Sequence, residues 1–143
     1  MAKGKTFTRA AMAVTIILLL WNLIGIAAFF GQMTMDLDKL AQRDAYQAHL
    51  FATMPAWGWV AYGVAVWAGL IGTIALLARN RWAVALYWLS LIGIVLQFGR
   101  TFLMTDLIAV RGWTTGLFPG LIVAVAVYQI WFARKLRRQG ILV

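Results

Sequence analysis

Asn22, Gln32, Gln97 and Arg100 stand inside or at the ends of stretches that are otherwise apolar. An amide both donates and accepts hydrogen bonds, and a guanidinium offers a planar fork of donors suited to anions. None of the four is poised near neutral pH to transfer a proton or attack as a nucleophile, so they suit holding a ligand more than turning one over. Ser90, Gly93, Gln97 and Arg100 share one stripe of a 3.6-residue helix. Such a stripe on an apolar helix must face other helices or water, because lipid offers it no partner. A similar stripe comes earlier. Leu23-Ile-Gly-Ile26 followed by Phe30-Gly31 is matched by Leu91-Ile-Gly-Ile94 followed by Phe98-Gly99. In that register Asn22, Gly25, Phe29 and Gln32 take the places of Ser90, Gly93, Gln97 and Arg100. The first and third hydrophobic segments then read as copies of one unit, a tandem repeat of two helical hairpins. Short matches of Leu, Ile and Gly also arise by chance in membrane helices.

Two readings of the polar set compete. In one, Arg100 reaches outward and pairs with Asp106, Asp36 or Asp38, while Asn22 and Gln97 bond across helices, at about 0.6 kcal/mol each in membrane proteins. In the other, Asn22, Gln32, Gln97 and Arg100 line an outward-facing pocket for an anionic or hydroxyl-rich small molecule.

Other chemistry finds little support. All four carboxylates, Asp36, Asp38, Asp44 and Asp106, fall between the apolar segments, so no acid stands mid-membrane where proton-coupled carriers place one. There is no cysteine, which removes disulfides and thiolate metal or iron–sulfur sites. His49, the single histidine, belongs to the most polar loop and reads as solvated. No glycine-rich phosphate loop is present. No enzymatic activity, catalytic residue, metal or cofactor is expected.

The elements that must position the polar stripe follow from composition. The 143 residues are 64% hydrophobic and 12% charged, with a mean hydropathy of +0.84. That excludes an ordinary soluble domain, which is about 45–50% apolar and about 25% charged. Four apolar runs, at about residues 10–30, 57–78, 82–104 and 113–133, each approach the roughly 20 residues that cross a bilayer. The expected fold is all-α, an antiparallel four-helix transmembrane bundle in a single integral membrane domain. The first run continues to Phe30 without a small-residue cleavage site and reads as a retained helix. Between the first two runs, Leu37, Leu40, Ala41, Ala48 and Phe51 share one face of a short amphipathic surface helix capped by Asp36 or Asp38. Trp21 and Trp67 read as packing residues deeper in the spans.

The net charge of +9 is explained by topology rather than nucleic acid. Nine basic residues (Lys3, Lys5, Arg9, Arg79, Arg81, Arg134, Lys135, Arg137 and Arg138) fall on one side of the alternating spans. The opposite loops hold Lys39, Arg43 and Arg111 beside the four aspartates. Both termini are therefore expected in the cytoplasm. Small residues spaced by four, Ala61, Ala65 and Gly69 in the second run and Gly116, Gly120 and Ala124 in the fourth, suit close helix contacts within the chain or between subunits. Pro119 should kink the fourth helix or sit in its first turns.

In order along the chain, Trp21-Asn22-Leu-Ile-Gly25, Met33-Thr-Met35, Ala52-Thr-Met-Pro55-Ala-Trp57, Leu89-Ser-Leu-Ile-Gly-Ile94 with Gln97, Phe102-Leu-Met-Thr-Asp106 and Val127-Tyr128-Gln-Ile-Trp131-Phe-Ala133 resemble a family of small bacterial four-helix inner-membrane proteins. Its members are often labelled as sugar transporters. The resemblance implies four membrane helices, a bacterial inner-membrane location and little about activity. Gly99-Arg100-Thr101 departs from it, since an uncharged residue is expected at the place of Arg100. The expected role is that of a non-enzymatic protein embedded in the lipid bilayer, binding a polar or anionic small molecule or a larger membrane complex. A small transporter working as a homo-oligomer is the alternative.

Overall fold

The computed structural model describes residues 7–143; Lys3 and Lys5 of the basic N-terminus lie outside them. The described chain is all-helical, and four of its helical stretches are long and apolar enough to cross a membrane. These are α1 (Arg9–Met33), α4 (Ala56–Leu77), α5 (Trp82–Leu103) and the stretch Trp113–Arg138, a turn of 3₁₀ helix leading into α7 (Leu117–Arg138). Between them lie α2 (Leu37–Arg43), α3 (Ala45–Ala52) and α6 (Leu107–Arg111).

The first loop differs from its expectation. It forms two short helices rather than one, because Asp44 leaves the helical conformation at φ −153° and its carboxylate accepts a hydrogen bond from Gln47 N (3.0 Å), starting α3 afresh. Asp36 caps α2, accepting from the amides of Asp38 and Lys39. Nothing in α2 is buried, whereas α3 buries Ala48 and Leu50. The fourth span also runs further than expected, continuing helically through the basic cluster to Arg138. Pro119 is the third residue of α7, where its missing N–H costs no helical bond.

Helix α4 packs against both α1 and α5, and α5 against α7. The α4–α5 contact is closest at Gly93, where an added Cβ would lie 2.7 Å from Ala61 O and 2.9 Å from Ala65 N. The ridge of Ala61, Ala65 and Gly69 is thus buried. The matching ridge on α7 is not: Gly120 and Ala124 are exposed, and a Cβ at Gly116 or Gly120 would meet nothing within 4 Å. Trp67 is likewise exposed on the outer face of α4 against Phe30, not packed inside.

The start of α1, the end of α4, the start of α5 and the end of α7 meet in one dense cluster that includes Ala11, Leu18, Leu76, Ala83, Tyr87, Ala133 and Leu136. Two helix ends finish it. Helices α4 and α7 close with the same pair of reversed bonds, Asn80 N to Ala75 O with Arg79 N to Leu76 O, and Ile141 N to Leu136 O with Gly140 N to Arg137 O. Gly140 takes the required left-handed turn (φ 81°) freely; Arg79 takes it at φ 59°, which costs a non-glycine residue roughly 1–2 kcal/mol. Arg79 is held there by the tail of the chain: its Nε donates to Ile141 O (3.1 Å), and its own carbonyl accepts from Val143 N (2.8 Å). Ile141 and Leu142 are buried as a result.

Candidate functional site

At the opposite, loop end the four long helices do not close. They leave a cavity of about 500 Å³. Its back wall comes from α4 and α5, with Tyr62, Ala65, Ile94 and Phe98; its flanks come from α1 and α7, with Ile24, Ala28, Phe118 and Ile122. Gln47, Leu50 and Phe51 of α3 and Arg111 of α6 form its roof. Asn22, Gln32, Gln97 and Arg100 all line this one space, as do Ser90 and Gln129.

The floor is a hydrogen-bonded set that joins α1, α4, α5 and α7. Asn22 Nδ2 lies 2.7 Å from Leu18 O, 2.7 Å from Gln129 Oε1 and 3.1 Å from Thr73 Oγ1, so its two hydrogens serve three acceptors. Thr73 Oγ1 donates to Gly69 O (2.9 Å) and lies 2.7 Å from Tyr87 OH, while Ser90 Oγ donates to Ala65 O (2.6 Å). Gly69 makes the junction: any Cβ there would collide with Asn22 Oδ1 and crowd Ser90 Oγ at 3.3 Å. Two groups of the floor have no partner among the described residues, Asn22 Oδ1 and Gln129 Nε2. Gln129 is 2% exposed and accepts from Asn22, yet its Nε2 donates to nothing among the described residues. No fully buried side-chain nitrogen or oxygen there lacks a partner, so that amide nitrogen touches the open space its residue lines.

Arg100 and Gln97 stand about 10–15 Å above the floor, from the helical rise between residues 90, 97 and 100. Arg100 is half-buried, and its Nη2 donates to Thr53 O at 3.0 Å. The expected pairing with an aspartate is not what forms. Asp106 accepts from Tyr46 OH (2.6 Å), Asp36 caps α2, and the one ion pair among the described residues is Arg111 with Asp44 (2.6 Å). Asp44 and Asp106 fasten loops to one another, Asp36 caps its own helix and the Asp38 side chain bonds nothing among the described residues, so the Arg100 charge has no carboxylate. Gln97 Nε2 has only the sulfur of Met54, at 3.6 Å, a weak acceptor. Gln32 is half-buried and has no side-chain bond among the described residues.

The roof is pinned through α3 and α6. Beside the Arg111–Asp44 pair, Arg111 lies over the Tyr46 ring (5.1 Å) and Tyr46 bonds Asp106. The Gln47 amide, and then Arg111, hold the Asp44 carboxyl below its ordinary range. Burial, and then the Asp106 carboxylate, push the Tyr46 hydroxyl up to about 12. On the loop side the cavity is thus bordered by α3 and by Arg111, whose side chain is 40% exposed.

Sequence reasoning brought the four named residues to one place but missed Thr73, Tyr87 and Gln129 in the floor and Gln47 and Arg111 in the roof. Gln129 carried the same signal as Gln97, an amide within an apolar span, and sits on the inner face with Ala126, Ile130 and Ala133. The roof residues carried no such signal, since a polar residue in a polar loop has no distinguishing pattern. Compared with known proteins, the chain matches no family model, no curated protein and no solved structure.

Proposed function

We propose that this chain is an antiparallel four-helix transmembrane bundle of a bacterial inner membrane, with both termini cytoplasmic. It works without catalysis, holding a polar or anionic small molecule at Asn22, Gln32, Gln97 and Arg100, alone or within a larger membrane complex. The resemblance to small bacterial inner-membrane proteins motivates the compartment, and the inward bias of positive charge motivates the orientation. The observation that carries the binding role is Arg100, a cation lining a cavity of about 500 Å³ with no carboxylate beside it. That volume suits a small ligand, and an unpaired guanidinium in a partly apolar cavity favours an anionic group.

Cysteines placed singly at residues 40 and 80 test the orientation in intact spheroplasts: an external thiol reagent should label the first and spare the second. Purified protein should gain thermal stability with an anionic or polyhydroxylated compound, and Arg100→Ala should remove that gain. No stabilisation by any member of a broad panel rejects the binding role.

The transporter alternative draws on one feature, the exposed Gly120 and Ala124 on α7 in line with half-buried Gly116 just before it, which would suit close contact with a second copy. A carrier would migrate as an oligomer in mild detergent and move solute into proteoliposomes. A protein that binds only, or serves a complex, would show no flux alone.

A further inference from the structure

The cavity is roofed by short helices on the loop side and opens between two apolar helix edges. Above it lies α3, with Leu50 buried and its neighbours Asp44 and Tyr46 tied to Arg111 and Asp106. Below it the terminal half of the molecule is solidly packed. Behind it α4 and α5 touch along their length. The fourth side differs. Helices α1 and α7 are not among the pairs in extended contact; they meet through Asn22 and Gln129 and the cluster beneath. Toward the loop end they part, and the residues that line the cavity there are also surface residues: Ile24 is 66% exposed and Phe118 64%. Both edges are apolar, so this gap faces the hydrocarbon of a bilayer.

The polar groups inside are arranged at two levels. Arg100 and Gln97 stand near the roof, and the unpartnered Nε2 of Gln129 stands at the floor, about 15 Å deeper by the ten-residue rise from Ser90 to Arg100. Between them the wall is Ile94, Phe98, Ile122 and Ala126. A compact polyol would leave this apolar stretch wet, and a plain hydrocarbon would leave Gln129 unpaired.

Resting on the binding role proposed above, we infer that the ligand is an anionic single-chain amphiphile taken sideways from the outer leaflet between α1 and α7. Its carboxylate or phosphate head lies against Arg100, its chain follows the apolar wall, and a hydroxyl or carbonyl oxygen far along that chain accepts from Gln129 Nε2. A bond to a buried donor that is otherwise empty is worth about tenfold or more in affinity.

Four probes separate these elements with the full chain in mild detergent: oleate, ricinoleate (the same acid with a mid-chain hydroxyl), glycerol phosphate and glucose, measured by native mass spectrometry and thermal shift. Ricinoleate should bind about tenfold more tightly than oleate. Gln129→Met, which keeps the length of the side chain, should erase that ratio while still binding oleate. Arg100→Gln should weaken both acids by about tenfold and keep the ratio between them. Ala28→Trp should block both acids by filling the gap, and near-native melting of this variant and of Gln129→Met verifies that each is folded. If ricinoleate and oleate bind alike, or Gln129→Met keeps their ratio, the inference is overturned. It is overturned as well if glycerol phosphate or glucose binds and the acids do not, a result that leaves the broader binding role standing. If none of the four probes binds, the inference is overturned, and the broad panel decides the binding role separately.

Discussion

The two halves of this molecule are built from the same four long helices and use them differently. Near the termini, small and branched residues mesh, Tyr87, Leu76 and Ala133 lose all contact with the surroundings, and the chain's own tail fills what is left. Toward the loops the same helices spread, the interior is lined by amides and an arginine, and a lid of short helices stands in for packing. Asn22, Ser90 and Gln129 mark the border, and Gly69 and Gly93 let the helices come close enough to set it. Below the border polar groups satisfy one another. Above it Gln97, Gln129 and Arg100 keep donors to spare. Close packing and spare hydrogen-bond donors are thus segregated along the helix axes, and substitutions in the two halves should report different things.

The sharpest test is at the border. Gly93→Leu places its side chain into the backbone of Ala61 and Ala65, which cannot yield without separating α4 from α5, so it should destabilise by more than the roughly 1–3 kcal/mol typical of overpacking. Gly120→Leu, on an open helix face, should leave the melting temperature in detergent unchanged or slightly raised. Equal losses would mean that the contrast is wrong.

A milder comparison deletes side chains. Leu136→Ala in the closed half, where Leu136 is 1% exposed, should cost about 2–5 kcal/mol. Ile122→Ala, on the cavity wall, enlarges a space already present and should cost markedly less, while changing ligand affinity.

The smallest effects belong to the roof. Asp44, with its carboxyl held low, contributes above the ordinary carboxylate range and loses that contribution as pH falls through its lowered value. The protection of the α3 amides, after correction for the intrinsic pH dependence of exchange, should therefore be unchanged from neutral pH down to mildly acidic conditions and fall only in strong acid. Tyr46 works in the other direction: its neutral form is favoured below the ordinary value of 10.0, and that contribution is lost as pH rises through about 12. Asp44→Asn should reproduce the acid effect at neutral pH.

The spans were legible because length and hydropathy decide them, and their ends fell within a few residues of expectation except at α7. There the apolar run ends near residue 133, but lysine and arginine are good helix formers and favour a helix C-terminus, so the helix ran on. The inward polar stripe was legible too, since Asn22, Ser90, Gln97 and Arg100 could be placed by period alone. What period cannot give is the partner: which of three other helices meets Asn22, or that the aspartates would bind Arg111 and Tyr46 instead of Arg100. The break at Asp44 was hidden for a similar reason. An aspartate within an amphipathic run looks like solvated surface until its carboxylate is seen capping the next helix.

Ile141 and Leu142 lie in the same cluster as Ala11 and Leu18, so the closed half draws on chain from near residue 10 and near residue 142 at once. A nascent chain emerges in order. The α4–α5 hairpin can form while α7 is still unmade, with Gly93 already seated against Ala61. The seal around Arg79 must wait for the residues that hold it in its left-handed turn. During biogenesis, then, the sturdiest region is the last to set, and until α7 arrives Asn22 lacks the acceptor that Gln129 brings to it.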